Sequence, residues 1–204
     1  MKKRHWIVLI VLCTVVAGAG LYVYLKDDTE DVRRDTITYI DAIRAGDFKT
    51  VFDYHAPSQR RRLLIIKRSH DDVEDLLEEL YKEQKESFEQ APFTTDLTGE
   101  WSEKFIFPRD SDYRIVDIEM VVDTENPSQP LKDIVERINA VVTVGVNYRD
   151  KSTAPDINGK VKRATYRIKM IHSENVARTL RGEVEYKRWL FKAISVVDGS
   201  IEYW

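Results

Sequence analysis

The residues best able to do chemistry in this 204-residue chain stand together at Asp53-Tyr54-His55. A carboxylate and an imidazole two positions apart, with a phenol between them, are the parts of an acid–base pair. The cluster directly precedes Ala56-Pro57. The residue before a proline avoids α geometry, so a short helix over Phe48–Tyr54 should stop here. An imidazole at such a helix end complements the negative end of the helix dipole, and an aspartate on the last turn can be simply solvated. Asp53 and His55 are therefore the candidate acid–base residues, and a structural role is preferred for both.

Other chemistries find less support. His70 and His172 are isolated, with no His-x-x-x-His or similar ligand spacing, and no metal site is expected. Cys13 is the single cysteine and lies in an apolar run, which excludes an intramolecular disulfide and a cysteine-based metal site. Neither a G-x-x-x-x-G-K-S/T loop, a G-x-G-x-x-G loop nor a G-x-S-x-G elbow occurs, so no nucleotide or other cofactor is expected. Tyr166, Met170, Trp189 and Phe191 are candidates for lining a ligand pocket, since such cavities are mostly apolar and aromatic. Residues of this kind more often fill a core.

Two basic features stand out. Arg60-Arg61-Arg62 with Lys67 and Arg68 could meet anionic headgroups, although a solvated helix face is the preferred reading. Arg149, Arg163, Arg167 and Lys169 could form a cationic stripe on the outer face of a sheet. No exposed aromatics interleave with them, which speaks against nucleic-acid binding.

The elements that must position these residues change character along the chain. Val32, Ile37, Ile40 and Ile43 roughly follow one helical face, Gly46 supplies a C-terminal stop, and Asp47 caps the short second helix. Ser69-His70-Asp71-Asp72 opens a long amphipathic helix, Asp71–Gln90. Val73, Leu76, Leu77, Leu80 and Tyr81 mark its apolar face, and Ala91-Pro92 ends it. From Arg114 the period falls to two. Arg114–Val122, Ile138–Tyr148 and Lys162–His172 alternate as strands with one solvated face, and Lys151–Gly159 is a turn-rich loop between the last two. A further strand is predicted over about Glu183–Val196, with Asp198-Gly199 turning the chain into Ser200–Trp204. Helices first and strands afterwards predict an α+β fold, with helices packed on one face of a curved antiparallel sheet.

The amino terminus predicts where this domain sits. Lys2-Lys3-Arg4-His5 precedes twenty uncharged residues, Trp6–Leu25, and Asp27-Asp28 follows. Twenty helical residues span about 30 Å, the hydrocarbon thickness of a bilayer. The basic cluster keeps residues 1–5 in the cytoplasm and sends residues 28–204 across as the exported domain. A cleaved signal ending at Ala17-Gly18-Ala19 is the alternative; it would leave an apolar terminus from Gly20, so the uncleaved anchor is preferred. Four of the 32 basic groups and none of the 35 acidic ones lie in residues 1–26, which leaves the rest at net −7. A mildly acidic body argues further against nucleic acid as a partner.

The segment Asp35-Thr-Ile-Thr-Tyr-Ile-Asp-Ala-Ile-Arg-Ala-Gly-Asp-Phe-Lys-Thr-Val-Phe-Asp-Tyr resembles the opening of nuclear transport factor 2-like domains, where a first helix ends in a Gly-Asp step before a short second one. Trp189-Leu-Phe-Lys-Ala-Ile-Ser-Val is similar to the late sheet strand of that superfamily, which often begins with Trp. The long helix before most of the strands departs from the compact pattern. The resemblance implies a cone of helices on a curved sheet. It implies either a noncatalytic binding module or an isomerase, dehydratase or cyclase with an acid–base pocket in the cone. The first is expected here: a single-pass protein of the cytoplasmic membrane, touching lipid through residues 6–25. It would present its domain on the outer side to an envelope protein or to a second copy of itself.

Overall fold

The computed structural model describes residues 28–54, 73–91, 101–122, 138–172 and 188–204. Trp6–Leu25, His55, Arg60–Arg62, His70 and the first residues of the long helix lie outside the described residues, as do residues 123–137 and 173–187. Among the described residues no helix is long and apolar enough to cross a membrane.

Residues 28–45 form helix α1, and residues 48–54 form α2. The buried face of α1 is Val32, Asp35, Thr36, Tyr39, Ile40 and Ile43. Ile37, expected on that face, is 38% exposed. At about 100° per residue it stands roughly 140° around the helix from Val32, and Thr36 and Tyr39 take the inward places. The helix stops where the sequence places its glycine. Gly46 has φ +72°, its N–H donates to Ile43 O at 3.1 Å, and Asp47 N–H donates to Ala42 O at 2.9 Å. These are the two bonds of a Schellman cap, and the left-handed φ is the reason a glycine belongs there. Asp47 then caps α2, accepting from Thr50 N–H at 3.3 Å and from the Thr50 hydroxyl at 2.7 Å. These bonds hold its carboxyl below the usual aspartate range.

The long helix α3 runs Val73–Gln90 and a single turn, α4, runs Glu103–Ile106. Phe48 and Phe52 of α2 meet Tyr81 and Phe88 of α3 and the loop residue Trp101 in one aromatic cluster, with neighbouring ring centroids 5.0–5.9 Å apart.

Four antiparallel strands follow in spatial order: β1 (Ser111–Val122), β2 (Ile138–Tyr148), β3 (Val161–His172) and β4 (Trp189–Val196). A two-residue strand, β5 (Glu202–Tyr203), also pairs with β3. The sheet is strongly curled, with the helices packed on one side, so the class is α+β. The β2–β3 hairpin is the one the alternation predicts, with Ala140, Val142, Val144, Val146 and Tyr148 of β2 buried beside Ala164, Tyr166, Ile168 and Met170 of β3.

Two features were not legible from parity. The register of β1 slips between Ile115 and Asp117, a bulge that leaves Val116 unpaired and 55% exposed although strict alternation with Ile118 and Met120 would bury it. The Asp198-Gly199 turn also fails to reverse the chain. β4 and β5 both run antiparallel to β3, on residues 166–172 and 161–163, so the turn is a detour within one direction of travel. Ser200 holds it, donating to Val197 O at 2.7 Å and accepting from Thr165 N–H at 3.1 Å.

Helix α1 is tied to both outer strands of the described sheet. Asp35 Oδ2 accepts from the backbone N–H of Trp189 on β4 at 2.7 Å, and Tyr39 stacks on Phe191 with centroids 4.8 Å apart. At its other end Arg44 donates to Arg109 O and to Ser111 O of β1, while Arg109 donates back to Arg44 O and Ala45 O. Tyr113 of β1 donates to Asp41 at 2.9 Å.

Candidate functional site

The space between helices and sheet is where a nuclear transport factor 2-like cone would carry a pocket, and among the described residues buried side chains crowd it. Tyr166, Met170 and Leu190 are fully buried, with Trp189 and Phe191 nearly so. Met170 and Phe191 face each other across β3 and β4. Tyr148 and Tyr166 meet hydroxyl to hydroxyl at 2.9 Å, and the Tyr148 hydroxyl donates to Ile106 O at 3.0 Å. Tyr148 O–H is spent on that carbonyl, so Tyr166 is the donor between the two. Tyr39 donates to the buried carboxylate of Glu103 at 2.9 Å. Burial pushes the hydroxyls of Tyr39 and Tyr148 far up, Tyr39 with help from the Glu103 charge, and raises Tyr166 to about 12. These phenols are neutral hydrogen-bond partners across the neutral range.

Of the sequence candidates, Asp53 is exposed on α2 and His55 lies outside the described residues. Tyr54, between them, is buried against Tyr39 at 5.4 Å between centroids, with the Arg188 guanidinium 5.8 Å from its ring. The acid near this corner is one that sequence reading passed over: Asp35, two helical turns into α1. Burial raises its pKa, opposed by the Trp189 N–H and by the Arg34 guanidinium 3.4 Å away. The Asp35 charge in turn adds to the burial that lifts Tyr54 to about 12. Both oxygens of Asp35 are engaged, one by a main-chain donor and one by Arg34, so the carboxylate acts as a bracket between α1 and β4. Among the described residues no group of His, Cys, Asp and Glu could hold a metal ion.

A surface site lies on the other side of the sheet. A half-open depression of about 390 Å³ is lined by Arg114 and Val116 of β1, Gly145 and Asn147 of β2, and Arg163 and Thr165 of β3. Two irregularities build it. Gly145 contributes no side chain to the floor, and the β1 bulge swings Val116 outward beside Arg114. A Cβ on Gly145 would stand 3.5 Å from Val116 Cγ2 and 3.9 Å from Arg114 Cγ, so both lean over the glycine. A glycine inside a strand marks such a close approach, and Val144-Gly145-Val146 was the signal that could have found it.

Across the outer face, register places Arg114, Gly145 and Thr165 in one row, Asp117, Thr143 and Arg167 in another, and Glu119, Val141 and Lys169 in a third. Acids therefore lie on β1 and bases on β3, about 10 Å apart across β2. Arg149 is engaged by Asp112 through two bonds of 2.6 and 2.7 Å. Arg163 donates to Asn147 Oδ1 at 2.6 Å and lies 3.5 Å from Glu202. Arg114, Arg167 and Lys169 are exposed and make no ion pair with the described residues. No family model matches this chain, and no curated protein or solved structure does either.

Proposed function

We propose that this chain is a noncatalytic binding module of the nuclear transport factor 2-like kind. Residues 6–25 hold it in the cytoplasmic membrane, and its domain faces outward toward a protein partner in the envelope. The observation that supports the reading is the filled interior. Tyr39, Tyr148, Tyr166, Met170 and Phe191 occupy the volume where an isomerase or dehydratase of this architecture needs its substrate. Their hydroxyls are committed to one another, to Glu103 and to a backbone carbonyl. A curled sheet with α1 and α2 on its inner side, joined by the Gly46-Asp47 step, supports the superfamily assignment. The charge step around Trp6–Leu25 supports the anchor.

The experiment compares interior and outer-face variants for rescue of a deletion strain's envelope phenotype, with circular dichroism as the folding control. Asp35→Asn and Tyr166→Phe should fold and rescue, whereas Gly145→Leu should fold and fail. Loss of rescue by a well-folded Asp35→Asn would overturn the noncatalytic reading in favour of acid–base chemistry at α1. Carbonate extraction of cell membranes tests the anchor, and release of a shortened soluble form beginning near Gly20 would refute it.

A further inference from the structure

The depression over Gly145 carries the binding-module reading one step further, to the chemistry of the partner. We propose that it seats an acidic peptide segment of that partner, one carboxylate going to Arg114 and the following ones running along the cations of β3. Three observations carry this, and all rest on the binding-module reading.

First, the depression is made by a glycine and a bulge that coincide, which together aim one guanidinium and one apolar side chain over a bare stretch of backbone. Second, the charges in reach are unevenly committed. Arg163 is held in place by Asn147 and Glu202, and thereby fixes one wall, whereas Arg114 has no ion-pair partner among the described residues. A guanidinium of that kind offers a fork of donors to a carboxylate. Third, Arg167 and Lys169 continue from the depression on the same face of β3, at alternate positions about 7 Å apart along the strand. That is also the spacing of same-side residues in an extended peptide. Asp117 and Glu119 flank the track on β1 and repel an acidic chain, which confines it to β3. Asp112, nearest the depression on that side, is neutralised by Arg149.

The test uses the full-length protein in uncharged detergent micelles and reads fluorescence anisotropy of a labelled peptide of four Glu-Ala repeats. The Glu-Ala peptide should bind and a Lys-Ala peptide should not. Arg114→Gln and Gly145→Leu should each weaken binding about tenfold, and the pair Arg167→Gln with Lys169→Gln should weaken it about threefold. Lys82→Gln, on the exposed side of α3, should change nothing. If Gly145→Leu melts early, the exposed substitution Arg114→Gln carries the test. Equal loss from Lys82→Gln, or no binding at all, would overturn the proposal. So would citrate binding that the peptide cannot displace, which points to a small acid. A dimer in sedimentation that Gly145→Leu converts to monomer would overturn it too, because the face would then belong to a second copy. Peptide binding that survives while Asp35→Asn abolishes rescue leaves this site standing and removes the noncatalytic reading. The reverse pattern removes only the site.

Discussion

Replacing Asp35 separates a structural bracket from a catalytic acid. In the wild type Oδ2 accepts the Trp189 N–H at 2.7 Å in a buried place, and Oδ1 faces the Arg34 guanidinium at 3.4 Å, whose side chain is 63% exposed. Asp35→Ala leaves a buried main-chain donor without its acceptor, which costs about 1–3 kcal/mol, and it also opens a small void. The lost pairing with Arg34 adds less than about 1 kcal/mol because that partner is wet. Asp35→Asn keeps an oxygen in front of Trp189 and removes a charge that burial already disfavours, so it should stay within about 1 kcal/mol of wild type. For a domain of this size about 2–4 °C of melting temperature accompanies each kcal/mol. The alanine variant should therefore melt about 2–16 °C lower and the asparagine variant within about 4 °C. The pH dependence has a definite sign. Burial raises the folded-state pKa of Asp35, so the native protein holds a proton that the unfolded chain has released. The stability difference between wild type and Asp35→Asn should thus be most favourable to wild type below pH ~3.9. It should decline as pH rises through the folded pKa. Thermal circular dichroism of the three proteins between pH 3 and 7, roughly the range that brackets an aspartate with a raised pKa, measures both. Equal melting temperatures for the alanine and asparagine variants would refute the bracket, and a difference that grows in favour of wild type toward neutral pH would refute the burial-raised pKa.

The tyrosine pair should respond asymmetrically. Tyr166→Phe removes one donor and costs about 1 kcal/mol, whereas Tyr148→Phe strands both Ile106 O and the Tyr166 hydroxyl and costs about 2–3 kcal/mol; denaturant melts that rank them the other way contradict the donor assignment. At high pH the unfolded chain ionises its tyrosines near pH 10, while Tyr54 and Tyr166 hold their protons to about 12. Stability from these groups is therefore complete below pH ~10 and lost through 10–12. The last part of the tyrosinate absorbance should arrive together with loss of circular dichroism, and full tyrosinate formation in a folded protein would count against it. Asp47→Ala should cost about 0.5–2 kcal/mol through the α2 cap, and no change in the melt would mean that the Thr50 bonds contribute nothing.

Local signals were the most readable part of this sequence. Gly46-Asp47 predicts a stop and a cap because φ > 0 and a side-chain acceptor are requirements of single residues, and both are met. The β2–β3 hairpin was legible because period two runs unbroken through both strands. Val116 was not, since a bulge is a relation between two strands and leaves no mark on the parity of one. Ile37 failed for a related reason: four apolar residues on a helix do not say which three of them share a face. The site was less legible still. Asp53 and His55 drew attention by adjacency, while the carboxylates that matter to the interior, Asp35 and Glu103, meet their partners Trp189 and Tyr39 across 154 and 64 residues. Of the expected cationic stripe, Arg163, Arg167 and Lys169 share the exposed face of β3, whereas Arg149 lies past the end of β2 and is tied to Asp112, and Arg114 joins that face from β1 only through the fold.

The two arginines that join α1 to the start of β1 carry the same charge, yet they clasp, because each addresses the other's main-chain carbonyl. Together with the Asp35–Trp189 bond they give α1 two grips on the sheet, one on each outer strand and nine residues apart. A pull on the amino-terminal side of the chain reaches the sheet through this helix. Lifting α1 off the sheet therefore breaks bonds to both of its outer strands.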